Sequence, residues 1–282
     1  MKRSDILPHI VAWPTCALGA WAAAWLTGRC SPDDVIEALA ESADRHEVQS
    51  EQSTSATESG SNIHNGSGVL DLLGLLKSAR RLAVRLPSTG DPQGLPPNPA
   101  TSKALITGEV LLVDDSDTAG TLALVPEFST FGIDPPYVTC RWTVFRYADR
   151  LDLDHLVSSG PSAGDLEYDL RQAVRDAAMI IGGLGGRRSL DAGDLRKELA
   201  VLIARHRVAL PPHALDARST RLIDTAAQVE AIVDLAGTRR VEIGDSAGQW
   251  DSGDSALRGL QTLTRTARAA AVNHTIGELL RR

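Results

Sequence analysis

Three arginines carry the clearest chemical possibility in the chain. Arg81 and Arg85 fall two pairs apart on one face of a predicted strand, and Arg141 sits between Thr139 and Thr143 on the polar face of another. A guanidinium offers forked N–H groups that match carboxylate and phosphate oxygens. If the strands are neighbours, Arg81, Arg85 and Arg141 converge on an anionic ligand. The competing reading is that acidic neighbours or solvent take up these charges, the usual fate of a charged sheet face. No residue presents itself as catalytic.

Other chemistry-bearing stretches fit their motifs poorly. Asp114, Asp115 and Asp117 form an acidic turn. A calcium loop beginning at Asp115 would place Asp117 and Gly120 correctly, but it puts Ala119 at position five and Pro126 at position twelve. A solvated hairpin turn fits better, and no metal is expected. The run Gly182 to Gly186, followed by Arg187 and Arg188, has the composition of a phosphate loop. It follows a helix instead of a strand, and no Gly-Lys-Ser/Thr comes after it. His155 stands beside Asp152 and Asp154 without identifiable partners. The seven histidines form no HxH or HExxH, and there is no GxSxG. No cofactor is expected.

The elements that would position the arginines read clearly. Tyr137 to Tyr147 (YVTCRWTVFRY) is the best strand, rich in β-branched and aromatic residues behind Pro135-Pro136. Its even residues, Val138, Cys140, Trp142 and Val144, read as the core face and its odd residues as the polar face. Shorter strands are predicted over residues 80–86, 109–113 and 121–125, the last two as a hairpin. A helical hairpin precedes them. Its first helix carries Leu18, Trp21, Ala22 and Trp25, and its second opens at the capping sequence Ser31-Pro32-Asp33-Asp34 and runs to about His46. Short helices follow Ser67 and Asn98-Pro99. Glu47 to Gly66 holds few apolar residues and reads as a disordered loop. From Ser162 onward the periodicity is 3.6, with four helices separated by Gly- and Pro-rich breaks.

Composition narrows the function classes. Residues 1–160 carry 12 basic against 20 acidic side chains, and residues 161–282 carry 17 against 16. An acidic front half and tryptophans segregated at Trp13, Trp21 and Trp25 argue against a nucleic-acid partner. Cys16, Cys30 and Cys140 have no metal spacing and suit a reduced, cytoplasmic protein. Residues 10–26 are mostly apolar but are interrupted by Pro14, Thr15 and Gly19, which favours a buried helix over a targeting segment or membrane anchor.

RCSPDDVIEAL (Arg29–Leu39), GLPPNPATSKALITGEVLLV (Gly94–Val113) and VTCRWTVFR (Val138–Arg146) resemble a family of uncharacterised, Arg/Ala-rich bacterial proteins. The resemblance implies a bacterial cytoplasmic origin and brings no activity or site residues with it. The expected fold is α+β: a small mixed or antiparallel sheet with helices over residues 1–160, then a helical bundle over 161–282. The expected function is a non-catalytic protein-interaction or oligomeric scaffold, with a protein partner or self-association. The alternative is a small-molecule binder or enzyme that takes an anionic ligand where sheet and bundle meet.

Overall fold

The computed structural model describes residues 11–51, 66–116, 120–132, 135–185, 192–214, 216–239 and 247–281. The architecture is α+β. One compact unit comprises residues 1–159, 208–215 and 272–282, and the other residues 160–207 and 216–271.

The first unit is built on a six-stranded mixed sheet. Its strands are β1 (Arg45–Ser50), the two-residue β2 (Gly66–Ser67), β3 (Ala79–Arg85), β4 (Val110–Asp115), β5 (Thr121–Phe131) and β6 (Tyr137–Arg146), in spatial order β2-β1-β6-β5-β4-β3. Only the β1–β6 pairing is parallel. β6 is central, as its composition suggests. β1 lies within the stretch expected to be a disordered loop: Glu47 to Ser50 are strand. They escape a composition argument because β6 supplies the hydrogen-bond ladder, so burial of their own side chains is not the main support. Residues 52–65 of that expected loop lie outside the described residues.

The other elements of this unit are α1 (Pro14–Leu26), α2 (Pro32–Ala40), α3 (Val69–Leu76), α4 (Pro99–Thr107) and α5 (Leu153–Ser158). Ser31 and Asp34 form the expected capping box on α2. Asn98 caps α4, which stops at Gly108 in the left-handed region, φ 83°. The sheet is covered on both sides, so the odd face of β6 is not simply polar: Thr139, Thr143 and Phe145 are buried. Ala100 and Ala104 of α4 and Leu153 of α5 pack there with Ala83, Leu112, Ala123, Val125 and Phe145. On the opposite face α1 lies so close that a Cβ at Gly19 would stand 2.9 Å from Ile276 and 3.2 Å from Val84.

Buried polar groups in this unit have specific partners. Glu109 accepts from both the backbone N–H and the hydroxyl of Thr15, so β4's approach caps the start of α1. Trp142 Nε1 donates to His46 Nδ1 at 3.0 Å. Because indole nitrogen only donates, the imidazole proton sits on Nε2, which donates to Leu39 O at 3.1 Å. Asn273 accepts from the N–H of Val84 and donates to its carbonyl, the bonds a neighbouring strand would make on the outer edge of β3. Gln93 accepts from the N–H of Leu86 further along.

The second unit is helical: α6 (Ala163–Gly185), α7 (Ala192–His206), α8 (Ala217–Arg239) and α9 (Ala247–Leu280), whose final residues from 272 belong to the first unit. Ala173, Val229, Val233, Ala236, Leu257 and Leu260 form its apolar core. α6 continues through Gly182 to Gly185 instead of stopping before them. Among the described residues, no helix is long and apolar enough to cross a membrane.

Candidate functional site

Arg81, Arg85 and Arg141 occupy one face of the sheet. β4 and β5 lie between the strand of the first two and that of the third, so they do not meet. Each is engaged locally. Arg81 pairs with Asp154 at 3.2 Å on an exposed surface. Arg85 is nearly buried and donates to the carbonyl of Leu156; burial pulls its pKa down against the opposing charge of Asp91. Arg141 places Nε and Nη2 on Glu47 Oε2, at 3.2 and 3.1 Å. Asp152, which stands beside His155 in the sequence, accepts from the His155 backbone N–H and so caps α5. Asp114 of the acidic turn pairs with Arg150. Among the described residues no group of three or more His, Cys, Asp and Glu could hold a metal ion.

A different surface emerges around Arg141. β4 pairs with β5 only from Thr121 to Leu124, whereas β6 pairs with β5 as far as Phe131. Along residues 126–131 β5 therefore has a strand neighbour on one side only. Across the face of this arm run Glu47, Arg141, Glu127 and Lys103, with alternating charge. Glu47 meets Arg141 at 3.1 Å, and Glu127 meets Lys103 at 2.9 Å. At its tip Phe131 and Tyr137 stack with centroids 5.7 Å apart, and the Arg45 guanidinium lies 4.9 Å from the centre of the Tyr137 ring. Phe131 is 43% exposed. Thr130 and Phe131 at this end of β5 are exposed, whereas Pro126 is buried. Phe131 and Tyr137 could have been picked out as strand-end aromatics. Arg45 could not, because its strand is not visible in the sequence.

The helical unit holds a buried charged network. Arg268, fully buried on α9, bonds Glu230 of α8. His206, at the end of α7, meets Asp234 at 2.8 Å and lies 3.8 Å from Glu230. Burial alone would raise the Glu230 pKa, but the charges of Arg268, His206 and Arg265 outweigh it. The carboxyl titrates at about 2 against its ordinary 4.5. Such a carboxylate is a weak base at neutral pH. His206 is buried, whereas His274 is exposed.

Two family models match consecutive parts of the chain: the N-terminal domain of Rv1486c-like proteins over residues 15–155, and the C-terminal domain over residues 164–269. The chain belongs to this family. The uncharacterized protein Rv1486c of Mycobacterium tuberculosis (strain ATCC 25618 / H37Rv) is 34% identical, over 92% of this chain and 96% of its own length. The uncharacterized protein ML1804 of Mycobacterium leprae is 32% identical over the same shares, and MAV321 of Mycobacterium avium 29%. No solved structure matches the chain. The Rv1486c-like family is one of uncharacterised bacterial proteins, in agreement with the resemblance carried by Arg29–Leu39, Gly94–Val113 and Val138–Arg146.

Proposed function

We propose that the chain is a non-catalytic, self-assembling scaffold of the bacterial cytoplasm, and that a second copy occupies the open edge of β5. The observation that carries this is the one-sided pairing of residues 126–131 beside the exposed Phe131–Tyr137 stack. A strand edge that meets its own copy antiparallel obeys a two-fold axis, so its hydrogen-bonding groups are self-complementary. Charge does not oppose this pairing. Glu127 is the one ionisable residue from Pro126 to Phe131, and Lys103 neutralises it. The local engagement of Arg81, Arg85 and Arg141 favours this reading over an anion-binding enzyme. Sedimentation velocity over a concentration series tests it. The wild-type chain should form a dimer and Phe131→Asp a monomer with the same circular dichroism. A wild-type chain that stays monomeric at every concentration, or a Phe131→Asp dimer of equal strength, would sink the proposal.

A further inference from the structure

A groove of about 270 Å³ lies between α6 and α8 within the helical unit. Leu170 and Leu222 form its buried floor. Its rim carries Arg171 of α6 and Arg218 and Arg221 of α8, with Glu167 as the lone carboxylate. Glu167 is held as a bound anion would be. Its Oε2 accepts from Arg218 Nε at 3.2 Å and Nη2 at 3.0 Å, and its Oε1 accepts from Arg171. Arg221 stands one turn from Arg218 and has no carboxylate within salt-bridge reach among the described residues. Three guanidinium groups against one carboxylate leave two positive charges in the groove of a chain whose net charge is −7.

We propose that this groove binds the dianionic phosphoryl group of a small phosphate ester, gripped by Arg218 and Arg221 with Arg171 at its side. Clustered guanidinium groups favour a doubly over a singly charged anion, and their forked N–H pairs suit phosphate oxygens. Glu167 then acts as an internal competitor: its carboxylate occupies the forks when the site is empty and swings away when phosphate enters. The inference does not depend on self-assembly through β5, since the two surfaces share no residue.

Isothermal titration of the full chain with inorganic phosphate, at constant ionic strength in chloride, tests this assignment. Saturable binding near one site per chain is expected. Arg221→Ala, an exposed position, should weaken it roughly tenfold, the cost of one charge-assisted hydrogen bond. Glu167→Gln should tighten it, because it removes the competitor while keeping the side chain's shape. A purely structural ion pair predicts the opposite: a less stable Glu167→Gln protein with unchanged phosphate binding. The assignment is overturned if neither wild type nor a folded Glu167→Gln protein gives saturable binding, or if Arg221→Ala leaves the affinity unchanged.

Discussion

The two units bury polar groups in opposite ways. In the sheet unit the buried partners are mostly neutral and each completes a backbone or ring hydrogen bond: His46 between Trp142 and Leu39, and Asn273 against Val84. In the helical unit the buried Arg268 guanidinium faces the Glu230 carboxylate, and His206 lies between Glu230 and Asp234. The difference follows from what each architecture leaves unsatisfied. A sheet has edges whose N–H and C=O groups need partners, and short side-chain amides supply them. Helices satisfy their own backbones, so polar groups buried between them must answer to each other.

The largest expected effect comes from breaking the charged side of this comparison. Arg268→Met leaves the Glu230 carboxylate buried without its main partner and should cost about 3–5 kcal/mol, read from thermal unfolding by circular dichroism. The double variant Arg268→Met/Glu230→Gln should recover much of that loss. Equal losses in single and double variants would mean that the pair is not the source.

Next comes the sheet edge. Asn273→Leu leaves the Val84 N–H and C=O buried without partners, at about 1–3 kcal/mol for each group. Urea unfolding followed by tryptophan fluorescence in a Trp250→Phe background reports on it, because the other four tryptophans, Trp13, Trp21, Trp25 and Trp142, lie in the sheet unit.

Acid should separate the units. Burial lowers the His46 pKa below its ordinary 6.5, so the unfolded chain takes up a proton there before the folded one does. The stability it contributes is present above pH 6.5 and falls as pH drops below that value. Protonation also removes the Nδ1 acceptor that Trp142 needs. Glu230 works in the same direction in a lower window: its contribution is present above pH 4.5 and is lost as pH falls towards about 2. Tryptophan fluorescence in the same Trp250→Phe background should therefore register loss of stability as pH falls below 6.5, before the helical unit responds. A His46→Asn variant, which keeps an acceptor near the Trp142 N–H, should flatten that upper window. An unchanged profile in the variant would remove His46 as its cause.

The smallest effect on stability belongs to the arm. Phe131→Asp should change the unfolding free energy by no more than about 0.5 kcal/mol, since the ring is exposed, while it abolishes the dimer. A large loss of stability would show that the Phe131–Tyr137 stack serves the fold itself.

Much of this architecture is legible in the residues, and the gaps have physical reasons. β3 to β6 announce themselves through alternation and β-branched content, and the caps at Ser31 and Asn98 mark the starts of their helices, although α2 ends at Ala40 and not near His46, which lies in β1. β1 does not, because Arg45, Glu47 and Gln49 lie on the sheet face that carries Arg141, and only Val48 looks like strand core. The arginines were legible as a shared face but not as separated strands, since strand order is a long-range property. Glu230 and Asp234, one turn apart, could be placed on one side of α8 from spacing alone. That Arg268 and His206 would meet them could not, because no local pattern links residues 28 and 38 positions away.

The cap on α1 bears on how the chain is made. Thr15 waits for Glu109, 94 residues later, and the parallel partner of β1 is later still. At a synthesis rate of roughly 5–20 residues per second, the ribosome releases the apolar first helix about 5–20 seconds before its cap exists. For that interval the segment with the most to hide has only the exit tunnel and the cell's chaperones for shelter. Slowing translation between α1 and β4 should then lower the soluble yield more than the same delay placed after β6.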